Sequence, residues 1–282
     1  FGNGYYSGSG YIRAKVRNVT VAARLNGYNG SILRSHNRRR SEREDLGDDL
    51  NHFYRSDGQS LSKFTYWQGG IDLSWEPDTL NLFTLSANYS KNSTRQTTSQ
   101  FISMSSVDEV LQWSYNRTFH SHYQRMGVSA NASYQHTFPG SKQHTLTLTY
   151  QFDYGRTPND NDQRTGDYHN FPGSHDPFRL HTTHNYYGTH TFQADYVLPL
   201  FGEKHTLETG AKAVIRPSRE SEWTLSSPDG VDYTDDSAIR LTQNNDVYAA
   251  YLSYSVKFGK ISGRAGVRYE HTCLLYTSDA AD

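Results

Sequence analysis

The stretch Thr145-Leu146-Thr147-Leu148-Thr149-Tyr150-Gln151-Phe152-Asp153-Tyr154 alternates without a break. Leu146, Leu148, Tyr150, Phe152 and Tyr154 share one parity; Thr145, Thr147, Thr149, Gln151 and Asp153 share the other. Successive side chains of a strand point to opposite faces, so period two puts the apolar set on one face and the polar set on the other. The pattern recurs downstream in Phe192, Ala194, Tyr196 and Leu198, in Leu207, Ala211, Ala213 and Ile215, and in Tyr248, Ala250, Leu252, Tyr254, Val256 and Phe258. Ile261, Ala265, Val267 and Tyr269 oppose Ser262, Arg264, Arg268 and Glu270. Upstream it recurs in Met126 to Tyr134, Phe83 to Tyr89, Trp67 to Trp75, Val19 to Leu25 and Ile12 to Val16. This predicts about ten antiparallel strands and an all-β fold.

Composition narrows the class. Hydrophobic residues make up 34% and charged residues 20%, so Ser, Thr, Asn, Gln, Gly and Tyr supply much of the polarity. Ordinary soluble domains hold about 45–50% apolar residues. The shortfall argues against a helical bundle, while 22 Tyr, 13 Phe and 4 Trp argue against disorder. No run approaches the roughly 18 apolar residues of a membrane-spanning helix. A single cysteine, Cys273, allows no internal disulfide and no Cys-based zinc or iron–sulfur site. The formal net charge of −1 gives no reason to expect a nucleic-acid partner.

The connections alternate short and long. Short turns are expected near Asn18, at Glu76-Pro77-Asp78-Thr79, at Pro139-Gly140-Ser141-Lys142, at Phe201-Gly202-Glu203-Lys204 and at Gly259-Lys260. Long polar connections run from Gly27 to Ser62, Ser90 to Ser121, Gly155 to Asn185 and Arg216 to Asn245. Short periplasmic turns with longer extracellular loops are the mark of an outer-membrane barrel, and many of the strands approach the roughly 9–11 residues that cross a bilayer when tilted. Aromatics near strand ends (Trp67, Trp75, Tyr89, Tyr134, Phe138, Tyr154, Tyr186, Tyr187, Phe201, Tyr248, Phe258, Tyr269) fit headgroup-level girdles. Charged residues of the other parity (Arg13, Lys15, Arg24, Asp72, Asp195, Glu208, Lys212, Arg264, Arg268, Glu270) need water, which a filled or plugged lumen supplies.

Two segments carry a family resemblance. One is Val197-Leu198-Pro199-Leu200-Phe201-Gly202-Glu203-Lys204-His205-Thr206-Leu207-Glu208-Thr209-Gly210-Ala211-Lys212; the other is Asp246-Val247-Tyr248-Ala249-Ala250-Tyr251-Leu252-Ser253-Tyr254, running on to Ala265-Gly266-Val267-Arg268-Tyr269-Glu270-His271-Thr272. Together they resemble the barrel domain of TonB-dependent receptors of the branch common in Bacteroidetes, and the likeness spans most of Gly10 to Thr272. The resemblance implies a barrel of about 22 strands, of which this chain carries about ten. It also implies an N-terminal plug, energy from a TonB complex, and a ligand such as a siderophore, glycan, peptide or cobalamin. Residues 1–272 are therefore expected to be part of an outer-membrane barrel domain in a Gram-negative bacterium, with outer-membrane lipid as a further partner. The tail Cys273-Leu274-Leu275-Tyr276-Thr277-Ser278-Asp279-Ala280-Ala281-Asp282 breaks the alternation. It resembles the reading-frame translation of a transposase sequencing adapter, so 273–282 is expected to be a non-native tail.

Candidate chemistry is sparse. His169, His175, His181, His184 and His190 fall in one stretch, with Asp167 and Asp176 nearby. His181 and His184 could share a metal if a loop folded back, but the spacing matches no standard site and the stretch reads as a polar extracellular loop. Arg38-Arg39-Arg40 followed by Glu42, Glu44, Asp45, Asp48 and Asp49 reads as a solvated, partly self-paired loop. Phe171-Pro172-Gly173 and Asp176-Pro177-Phe178 are turn signals that could present aromatics to a ligand. Asp153, His190 and Asp195 are the candidates for an enzymatic alternative, and a passive porin is a third class; both rank below a receptor. The expectation is of a non-enzyme without cofactor, with no catalytic, metal or individual ligand-binding residue assigned.

Overall fold

In the computed structural model, which describes residues 5–30, 37–173, 177–202, 204–259 and 261–280, every regular element is a strand. They are β1 (Tyr5–Val16), β2 (Val19–Gly30), β3 (Asn37–Glu44), β4 (Phe53–Trp75), β5 (Asn81–Ser105), β6 (Leu111–Thr137), β7 (Thr145–His169), β8 (Phe178–Leu200), β9 (His205–Ile215), β10 (Pro217–Ser227), β11 (Thr234–Phe258) and β12 (Ile261–Ala280). All pair antiparallel in one 12-stranded sheet. β2 and β3 lie end to end along β4, and β9 and β10 lie end to end between β8 and β11. The twelve elements thus fill ten positions across the sheet, as the alternation predicts.

The register holds one parity across the whole sheet. A single cross-strand row reads Val16, Val19, Trp75, Phe83, Tyr134, Leu148, Ala194, Ala211, Ala250 and Tyr269. The next row on that face reads Ala14, Val21, Leu73, Leu85, Ala132, Tyr150, Phe192, Ala213 and Tyr248. Trp75 and Phe83 stack at 5.1 Å between ring centroids, and Phe83 and Tyr134 at 4.6 Å. Such cross-strand aromatic pairs help pin the register. Tyr187 departs from expectation: its odd parity turns it to the polar face, where it lies over Gly155, and a Cβ at 155 would meet its ring.

No second layer covers the apolar face. Ile71 is 57% exposed and Leu85 49%, and among the described residues the buried apolar side chains are only Ala22, Ile102, Val214 and Ala249. A soluble sheet must bury such a face against another element; this one leaves a broad apolar band open.

The strands outrun that band. β6 has 27 residues, roughly 90 Å at about 3.4 Å per residue, yet its apolar alternation occupies only Met126 to Tyr134. The long connections expected between strands are therefore strand pairs themselves, closed by brief links at 45–52, 106–110, 170–177 and 228–233. The ladder bonds main chain to main chain, so it continues through Ser, Thr, Gln and Asn after the apolar pattern has stopped. The same indifference carries β12 through residues 273–280, paired from Asp246↔Cys273 to Ile239↔Ala280. In that stretch Leu274 and Tyr276 take the parity of the polar face.

One long-side link and one short turn share a device. Asp48-Asp49-Leu50-Asn51 and Asp78-Thr79-Leu80-Asn81 both use the first Asp to accept backbone N–H bonds from the Leu and the Asn, and a side-chain bond from that Asn. The asparagine amide, then the backbone N–H of Leu80, hold the Asp78 carboxyl below its usual value of 3.8. A depressed carboxylate stabilises the fold above its ordinary pKa, and that contribution is lost as pH falls through the folded value. Asp78→Asn in the full-length protein is expected to reduce the difference in unfolding midpoint between about pH 7 and about pH 3. The parity rule makes a second prediction. Ala132→Arg, on the apolar face, is expected to cost about 2–4 kcal/mol in urea unfolding from lipid vesicles. Asn131→Arg, one residue away on the polar face, is expected to stay within about 0.5 kcal/mol.

Candidate functional site: the polar face and the strand arms

The polar face is built from the parity opposite to the apolar rows. Arg24 on β2 reaches Asp72 on β4 at 2.8 Å and Asn88 on β5 at 2.5 Å. On β8, Gln193 Nε2 donates to Asp195 Oδ2 at 2.8 Å, and the Tyr251 hydroxyl of β11 donates to the other oxygen of that carboxylate. Arg264 on β12 bridges Glu208 on β9 at 2.6 Å and Ser253 on β11 at 3.0 Å, and Arg268 pairs with Glu270 at 2.7 Å. Arg24 and Asp72 remain 38% and 43% exposed as side chains. Ion pairs this wet contribute about 0–1 kcal/mol each, so they do not hold the sheet; they mark a face in contact with water.

Beyond the apolar band, the same face of the arms gathers aromatics. Phe171 lies 5.4 Å from Trp113, 4.8 Å from Tyr115 and 5.7 Å from Tyr168 by ring centroids. Ile102, directly across from Tyr115, is fully buried. Burial pushes the Tyr115 phenol up from its ordinary value. The Phe171 turn thus packs its ring into this cluster. Trp113, Tyr115 and Tyr168 carry no functional assignment in the sequence reading; the spacing Trp113-Ser114-Tyr115 signals them once residues 111–137 are read as strand.

The histidines do not assemble. His181 and His184 are three residues apart on β8 and fall on opposite faces. His181 Nδ1 sits 3.1 Å from Thr224 Oγ1 and 3.8 Å from Glu222, whereas His184 packs edge-on to Trp223 and lies 3.8 Å from Asp160. Asp167 accepts from Asn116 at 2.8 Å. His175 and Asp176 lie outside the described residues. No group of three metal-ligating side chains converges among the described residues. The enzymatic candidates are divided too: Asp153 and Asp195 stand on the polar face, where Gln151 and Gln193 bond them, while His190 is on the apolar face near the Tyr150 hydroxyl at 3.0 Å. In the acidic link, Arg55 pairs with Glu42 at 3.4 Å and Glu109 at 3.3 Å, and His52 lies 3.9 Å from Glu44. The Arg38, Arg39 and Arg40 side chains, on which the expected self-pairing rests, lie outside the described part.

An all-antiparallel sheet with one wet face and one uncovered apolar face defines a membrane-barrel wall. The sequence profile of the outer membrane protein beta-barrel family matches residues 136–282, more than half of the chain. The chain belongs to that family, and its place is the outer membrane. No curated protein matches the chain. The apolar rows are accordingly the lipid-facing side and the polar face is the luminal side, with the long arms extracellular and the short turns periplasmic.

The arms depend on their aromatic cluster more than on their ion pairs. Phe171→Ala removes three ring contacts worth about 0.5–1.5 kcal/mol each, so protease cleavage within 170–177 of the full-length protein is expected to rise by about tenfold or more. Heat-modifiable migration, which reports the membrane-embedded part, is expected to be unchanged.

Proposed function

We propose that this chain is barrel wall of a TonB-dependent receptor that imports a small ligand across the outer membrane. The observation that carries the reading is the pairing of a charged, wet luminal face with extracellular arms whose inner surface is aromatic. Rings such as Trp113 and Phe171 suit stacking against sugars, aromatic chelators or peptide side chains, and recognition is commonly carried on extensions of a rigid scaffold. The resemblance of Val197–Lys212 and Asp246–Thr272 to TonB-dependent receptors supports the same reading over a porin. Division of Asp153, His190 and Asp195 between two faces supports transport over catalysis. In this mechanism the arms capture ligand, a plug occludes the lumen, and TonB-driven movement of that plug opens passage.

The test uses the full-length protein. Purified into liposomes, it is expected to block diffusion of small sugars such as arabinose. In cells, uptake from a panel of ferric siderophores, cobalamin, oligosaccharides and peptides is expected to include at least one compound that enters only when TonB is present, while that compound still binds the cell surface without TonB. Free arabinose flux and TonB-independent uptake would identify a porin and overturn the proposal.

A further inference from the structure

The lipid-facing side carries lysines and arginines at one end only. Two residues beyond Tyr89, Val128 and Tyr154, the cross-strand row reads Trp67, Lys91, Met126, Arg156, Tyr186 and Arg219. The three cations alternate with an aromatic or thioether side chain, so neighbouring charges stand two strands apart, about 10 Å. Arg156 lies over the Tyr186 ring at 5.2 Å, and its Nε is buried without a hydrogen-bond partner. Lys63 and Arg95 stand on the same face four residues further from the apolar rows. At the periplasmic end the matching positions are Trp75, Phe83, Phe138 and Phe258, and no lysine or arginine faces outward among the described strand residues there.

On the luminal face Arg24, Arg264 and Arg268 each have a carboxylate partner. Lys91, Arg156 and Arg219 make no ion pair among the described residues. The two carboxylates nearest on their own face are engaged elsewhere: Asp160 lies against His184 at 3.8 Å, and Asp246 accepts from the backbone N–H of Arg216 at 3.4 Å. Long basic side chains at the edge of an apolar band snorkel toward the interface, with aliphatic stems in hydrocarbon and charge among headgroups. Unpaired charge on the extracellular side of that band faces the outer leaflet, and the complement to a row of cations is phosphate.

We infer that the row Lys91–Arg156–Arg219 is a binding surface for the phosphorylated headgroups of outer-leaflet lipid. This rests on the membrane location and the register, and is independent of whether the barrel is a TonB-dependent receptor. The row fixes the barrel's depth in the membrane and recruits a shell of anionic lipid beside the arms.

The test is binding of a diphosphorylated glycolipid, and of the same glycolipid stripped of phosphate, to full-length protein purified in zwitterionic detergent. The native protein is expected to favour the phosphorylated form, less so as salt rises from about 50 to about 500 mM. Each cation removed near an anionic surface weakens binding roughly fivefold, so the triple variant Lys91→Gln, Arg156→Gln, Arg219→Gln is expected to lose on the order of a hundredfold. A luminal triple variant, Arg13→Gln, Lys15→Gln, Arg24→Gln, is expected to bind like the native protein. Equal binding of the two glycolipids, no salt dependence, or equal loss in both triple variants would overturn the inference. Inorganic phosphate binding alone with the glycolipid's affinity would overturn the assignment to lipid. If the outward triple variant fails to fold, the charge-preserving exchange Lys91→Arg, Arg156→Lys, Arg219→Lys is expected to retain binding, and its loss would count against the inference equally.

Discussion

The structure depends on one constraint: an antiparallel ladder whose register preserves parity at every junction. Because side chains alternate with period two, a one-residue slip between any two neighbouring strands would turn over the rest of the sheet. Here the row from Val16 through Trp75 and Leu148 to Tyr269 crosses the sheet without such a slip. Lipid on one side and water on the other supply the penalty that selects it. A misplaced Arg264 would enter hydrocarbon, and a misplaced Leu148 would enter the lumen. The turns work toward the same end, since the Asp78 carboxylate fixes the entry of β5 by local hydrogen bonds.

That constraint explains what was legible in the sequence. Alternation is strongest where the two faces are solvated differently, so the bands Thr145–Tyr154 and Tyr248–Phe258 announced strand and face together. Outside the bilayer both faces meet water, the selection for alternation lapses, and Ser-, Thr- and Gln-rich segments read as loop. The arms of β4 to β8 are therefore strands that sequence patterning could not separate from coil. Lys91, Arg156 and Arg219 were missed for the same reason, because each lies just past the last apolar residue of its strand. His181 and His184 illustrate the converse. Proximity in sequence suggested a pair, but strand geometry sends an odd separation to opposite faces. The aromatic girdle was legible except at Tyr187, whose even-parity neighbour Tyr186 holds the lipid-side position.

The interruptions fall where the membrane permits them. β9 and β10 keep one register against β8, since His190↔Ile215 and Tyr187↔Ser218 belong to the same alignment, yet pairing lapses opposite Arg216 and Pro217. Pro217 has no N–H to give the ladder. A gap at the bilayer centre would leave a backbone carbonyl unsatisfied in hydrocarbon at a cost of several kcal/mol. Pro217 instead sits in the row just below Arg219, where headgroups and water begin. The alignment against β4 also differs by three residues between β2 and β3, from Gly30↔Phe64 to Asn37↔Ser60, above the apolar rows. These departures, like the register shifts at Thr224/Leu225, Met104/Ser105 and Ser114/Asn116, occur toward the extracellular end, from the row just below the cations outward. Below it the ladder is regular because lipid tolerates nothing else; above it water relaxes the rule, and there the sequence is free to place arms, aromatic clusters and unpaired charge.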